Sequence, residues 1–312
     1  MMLRYRADIR TLSFVAFYFA ITAYQWVAAP QQWWLAIPLI MTTCIFSWFG
    51  AIITHNTIHA PVFHSKTMNR VFQVVLSLTY GSPVSAFVPG HNLSHHKHTQ
   101  TQRDVMRTSK VRSDRNIFNL FAFAPKVAIA IMKNDQAYVK TMRKVHKSWF
   151  RQYVLESVTV FGTTIALFVI DWKKALFYWL IPHLYAAWGI ITINYFQHDG
   201  CDAEHPYNHS RNFVSPLLNW FAFNNGYHTM HHMRASLHWS LLPAAHAAEV
   251  KPHIDPVLDQ KSLIVFFVKN FLLPGKRRDY RGELVELPPE TGDESWIPQP
   301  RETPEDLGAV VA

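Results

Sequence analysis

"ALFYWLIPHLYAAWGIITINYFQHDG", residues 175–200, decides the fold. From Ala175 to Phe196 it contains no Asp, Glu, Lys or Arg, and it has the length of the roughly 20 apolar residues that carry a helix across a bilayer. It then ends in Asn194 and, one turn later, His198. What that polar ending means depends on whether other histidines reach the same depth.

Working outward, residues 12–29, 33–53 and 154–170 read as three more spans. "PQQ" at 30–32 joins the first two and "DWKK" at 171–174 the last two, so four transmembrane helices form two hairpins. Trp33 and Trp34 suit a membrane interface. Residues 71–88 are interrupted by Gly81 and Pro83, and residues 117–132 by Pro125 and Lys126; both are expected to be re-entrant or interfacial helices, as are 217–223 and 263–273. The composition agrees, with 49% hydrophobic and only 16% charged residues among 312. The fold class is an all-α integral membrane protein with a cytoplasmic histidine-rich cap.

Residues 1–281 are expected to form a single membrane-embedded domain, and 282–312, acidic and proline-rich, a disordered tail. No small-residue cleavage site follows the first apolar run, which is read as a retained span. Arg4, Arg6 and Arg10 precede that run, and thirteen lysines and arginines lie from Lys97 to Arg151. The positive-inside rule places both termini and the long central loop in the cytoplasm. This topology accounts for the net charge of +9. The aromatics are not interleaved with the basic residues, so a nucleic-acid groove is excluded. Cys44 and Cys201 are too few for a disulfide framework or a four-thiolate iron–sulfur site.

Eighteen histidines make pattern matches cheap, so each pattern is weighed against chance. Random placement yields roughly one H-x-x-x-H in such a chain, but only about 0.06 of an H-x-x-x-H-H and about as many of an H-x-x-H-H. The chain has "HNTIH" (His55, His59), "HNLSHH" (His91, His95, His96) and "HTMHH" (His228, His231, His232). Residues three or four apart share a helix face, so each box aims at least two imidazoles at one point. Neutral imidazole ligates transition metals. Eight such ligands exceed one tetrahedral ion and argue for two metals. All three boxes lie on the side that the lysine and arginine count makes cytoplasmic.

With these boxes in this order, and a histidine closing the last span in "NYFQHDG", the chain resembles the membrane-bound fatty acid desaturase and aliphatic hydroxylase superfamily over roughly residues 12–250. The resemblance implies a di-iron centre of two Fe ions, with O2 as co-substrate, at the cytoplasmic face. It makes His55, His59, His91, His95, His96, His228, His231 and His232 ligands, His198 a ninth, and Asn194 a ligand through water. It implies a long acyl chain, carried on coenzyme A, a carrier protein or a lipid, that is desaturated. Electrons would come from a separate ferredoxin, rubredoxin or b-type cytochrome docking on the basic loop.

Other outcomes of the same centre are hydroxylation of an alkane, fatty acid or carotenoid, and alkene-forming decarboxylation. A metal transporter would need ionisable residues within its spans; the spans hold Glu156 near one end and His183. Asp199 and Asp202 read as ordinary loop caps, with acceptance of a ring N–H from a ligand histidine as the alternative. His64, His98, His146, His183, His205, His209, His238, His246 and His253 are read as surface, packing or supporting residues.

Overall fold

A computed structural model describes residues 2–294 and 307–308. Among these the chain is mostly helical, with almost no strand, and divides into two units. One is built from residues 2–88 and 139–190, the other from residues 89–138 and 191–294.

Among the described residues, five helices are long and apolar enough to cross a membrane: α1 (Asp8–Ala28), α2 (Trp33–His59), α4 (Asn116–Val145), α5 (Lys147–Ile170) and α6 (Trp172–His198). Between them α3 (Lys66–Tyr80) is followed by the segment Val84–His96, bent from it by 83°. The break expected at Gly81 and Pro83 is therefore present. Gly81 caps α3 with φ 79°, the left-handed conformation that glycine adopts without strain.

Two boundaries differ from expectation. The second span continues beyond residue 53 to His59, so the first histidine box is the last turn of α2. The 117–132 segment is part of one continuous 30-residue helix despite Pro125, where only one backbone bond is lost and the turns on either side carry the helix through.

Exposure identifies these helices as membrane elements. Only 11% of the apolar window of α5 is buried, and its Val158, Ile165, Val169 and Ile170 are exposed. Water would not tolerate such a continuous apolar face, and hydrocarbon would. The chain is an all-α integral membrane protein.

In the first unit, polar groups tie the helices together where lipid offers no partner. Thr43 donates to Gln25 Oε1 at 2.8 Å, Ser47 to the Thr79 carbonyl at 2.7 Å, and a Cβ on Gly50 would lie 2.5 Å from Thr79 Oγ1. Both ionisable residues noted within the spans are satisfied. His183 Nε2 lies 2.9 Å from the Tyr18 hydroxyl, and Glu156 accepts from the Ser85 N–H and from Gln152 Nε2, each at 2.8 Å. Glu156→Ala strands the buried Ser85 N–H and is expected to cost about 1–3 kcal/mol. Thermal unfolding in detergent checks this: the alanine variant should melt below Glu156→Gln, which keeps an acceptor.

In the second unit, the parallel two-residue strands β1 (Asn212–Phe213) and β2 (Asp259–Gln260) brace the segment leading to the third box. Leu263–Leu272 is a short apolar helix, as expected of an interfacial segment. The disordered-tail expectation falls partly on 295–306 and 309–312, outside the described residues. The described part is held in place, by a bridge between Arg278 and Leu284 and by ion pairs of Asp293 and Glu294.

Candidate metal centre

The second box is wound as a π-helix, Val88–His96. Its i→i+5 repeat places His91 beside His96, with Nε2 atoms 3.0 Å apart, and sends His95 elsewhere. The third box, in the helix His228–Met233, divides in the same manner. His228 and His232, one α-turn apart, bring their Nε2 atoms to 3.1 Å, while His231 Nε2 lies 3.2 Å from His96 Nε2. His198, the last residue of α6, places Nε2 2.9 Å from His228 Nε2.

Two groups result within the second unit. His91, His96 and His231 form one; His95, His198, His228 and His232 form the other, and within each the ligand atoms lie within 4.8 Å of one another. All but His96 and His232 are buried. In the first unit, His55 and His59 sit buried at the end of α2 with ring centroids 5.6 Å apart.

The second ring nitrogens explain how the rings are aimed. His198 Nδ1 lies 3.1 Å from the His209 carbonyl, which can only accept, so Nδ1 carries the proton and Nε2 a lone pair. His95 Nδ1 lies 3.0 Å from Asp104 Oδ2, and the same reasoning leaves its Nε2 bare: that atom is buried with no hydrogen-bond partner. Burial and the neighbouring imidazoles of His96, His228, His198 and His95 push His232 well below the usual histidine range, so it is neutral. Several Nε2 atoms converge about 3 Å from one another, and those of His95 and His198 carry lone pairs with no better partner than a cation. Such a set of neutral imidazoles fits metal ions.

Asp104 is the residue that sequence reasoning missed. It is fully buried, and both carboxylate oxygens are committed: Oδ2 to His95 and the Gln100 N–H at 2.8 Å, Oδ1 to the Met106 N–H at 2.7 Å. Nothing in "HTQTQRDVM" distinguishes it from an ordinary loop carboxylate. Asp199 and Asp202 are committed away from the ligand rings. Asp199 pairs with the buried Arg277, Nε to Oδ1 at 3.0 Å; burial works against that guanidinium's charge, but Asp199 and Tyr195 raise its pKa above the ordinary value. Asp202 accepts from the Glu204 N–H at 3.2 Å and lies 3.6 Å from Arg281.

Asn194 is buried and donates its amide to the Met106 carbonyl at 3.1 Å, which ties α6 to the Asp104 loop. Burial pushes the Cys201 thiol up to about 11, so it stays protonated and is a poor ligand. Among the described residues, His64, His98 and His205 belong to neither group, and His205 accepts the Tyr207 and Asn208 N–H groups in a turn. His209 supports the centre through its carbonyl.

Gly226 allows the third box its position, because a Cβ there would lie 2.2 Å from the Phe213 carbonyl oxygen and 2.6 Å from Asn219 Oδ1. Gly226→Ala is expected to destabilise the protein by about 1–3 kcal/mol and to displace His228. Loss of thermal stability together with a lower metal content would show both effects.

A helical membrane protein that brings seven imidazoles into two clusters carries the donor set of a metal site. The chain matches the fatty acid desaturase family over residues 28–258 and belongs to it. No individual curated protein matches the chain. Membership implies an oxidoreductase of the desaturase and hydroxylase type acting at the lipid bilayer.

Proposed function

We propose that the protein is an oxygen-dependent membrane di-iron desaturase that introduces a double bond into a long acyl chain. The observation that carries this reading is the pair of imidazole groups, with the bare Nε2 atom of His95, in a chain of the fatty acid desaturase family. His91, His96 and His231 serve one iron and His95, His198, His228 and His232 the other. His55 and His59 of the first box complete the set, as the family resemblance implies, and Asn194 acts through water.

The chemistry that iron would supply if held there is the reductive activation of dioxygen used to remove hydrogen from two adjacent methylenes, with electrons from the external donor. The residues of the chain hold and orient the ligands. Asp104 accepts a hydrogen bond from His95 Nδ1–H and raises the basicity of the ring's Nε2, and the His209 carbonyl does the same for His198. With α1, α2, α5 and α6 crossing the bilayer and α4 within the cytoplasmic loop, the lysine and arginine distribution supports a cytoplasmic site and cytoplasmic termini, with electrons delivered by a separate ferredoxin, rubredoxin or b-type cytochrome.

The test is to incubate membranes containing the protein with a labelled long-chain acyl substrate, a reductase system and oxygen. A new carbon–carbon double bond is the expected product. A hydroxylated chain or a shortened terminal alkene, with no internal double bond, would replace this reading by the corresponding reaction of the same centre.

A further inference from the structure

The loop that carries Asp104 also borders a cavity of about 600 Å³, lined by the cations Arg107, Lys110, Arg112, Lys126 and Lys133. Its remaining wall includes the segment from Pro288 to Asp293. Asp293 Oδ1 is held by both Arg107 Nη1 and Lys110 Nζ. The Thr291 carbonyl accepts from Arg107 Nη2 at 3.2 Å, and the Glu294 N–H donates to the Gln102 carbonyl at 3.2 Å.

Two features of this arrangement point beyond a structural ion pair. First, the charges do not balance, since five cations face only two lining carboxylates, Glu290 and Asp293. Second, the partners are unequally buried: the side chains of Arg107 and Lys110 are 8% and 9% exposed, that of Asp293 37%. The two cations are largely shut off from water and need an anion, whereas the anion now supplied is more than a third exposed and can leave. A guanidinium fork and an ammonium converging on one carboxylate oxygen are better matched by a group with several charged oxygens.

We propose that this cavity is a phosphate-binding site and that Asp293 is its internal occupant, so that a phosphate ester or pyrophosphate binds by displacing the 290–294 segment. The inference does not depend on the reaction proposed above. Because Arg107 Nη1 also lies 3.3 Å from the Asp104 carbonyl, the exchange takes place on the loop that aims His95.

The experiment is calorimetric titration of the full chain in uncharged detergent with sodium pyrophosphate at low ionic strength. The wild type should bind, Asp293→Asn should bind about tenfold more tightly and Lys110→Gln at least about tenfold more weakly, the scale of one charge-assisted contact. Raising salt should weaken all three. Metal content should be equal in all three, because no histidine is touched.

Repeating the wild-type titration in phosphatidylcholine nanodiscs with and without phosphatidic acid separates the sources. Competition by phosphatidic acid assigns the site to a lipid headgroup; unchanged affinity assigns it to a soluble phosphate ester. Equal affinity in the three proteins, weaker binding by Asp293→Asn, or no binding by any of them overturns the proposal.

Discussion

His95→Ala is expected to remove one metal site and to lower turnover by more than about a hundredfold, with the helices intact. The basis is the ring's position. His95 is fully buried, its Nδ1 is fixed by Asp104, and its Nε2 faces His198 and His232, with ring centroids 4.8 and 4.9 Å away. Alanine leaves three imidazoles in that group, and losing a directly bound ligand costs more than the 10- to 100-fold that supporting partners typically contribute. The control is His146→Ala. His146 caps α5 by accepting the Trp149 N–H at 3.2 Å, so its loss should lower stability by about 1 kcal/mol and leave iron content unchanged. Iron per protein and acyl turnover, measured on both variants, check the prediction. Equal iron and activity in the two would end the ligand assignment.

Asp104→Asn is the second large effect, expected to lower metal affinity or turnover by about 10- to 100-fold. The substitution keeps the shape but not the hydrogen-bond sense. The carboxylate accepts on both oxygens, from His95 and Gln100 on one side and from Met106 on the other. An asparagine amide has a single acceptor oxygen, so in either orientation its NH2 group meets a donor. The loss of charge also removes the polarisation that makes His95 Nε2 a better ligand. Asp199→Asn separates this effect from general loosening. It breaks the buried pair with Arg277 and should cost stability without comparable loss of iron affinity. If Asp104→Asn retained wild-type affinity while Asp199→Asn did not, Asp104 would have no part in aiming the ring.

Much of this was legible in the sequence because membrane spans and metal boxes are both written in local runs. The apolar run 175–196 and its companions at 33–53 and 154–170 fall within helices of spanning length, and 12–29 overruns its helix by one residue. The break at Gly81 and Pro83 was legible for a related reason, since a glycine cap and a proline act on their own neighbours. The run containing Pro125 misled, because a proline breaks a helix only where nothing restores the turns around it, and here one helix from Asn116 to Val145 continues past it.

The sequence by itself determined that this protein is helical, lies in the membrane and carries its histidines in three boxes, because those properties follow from the local period of apolar residues and histidines. Only the tertiary structure decided how the boxes are divided. The π-helical winding that pairs His91 with His96 and releases His95, the diversion of His231 from His228 and His232, and the choice of Asp104 over Asp199 as the carboxylate behind a ring all depend on long-range packing. The physical reason is that a ligand's role is set by where its second nitrogen finds a partner, and for His198 and His95 those partners lie 11 and 9 residues away along the chain, brought near by the fold.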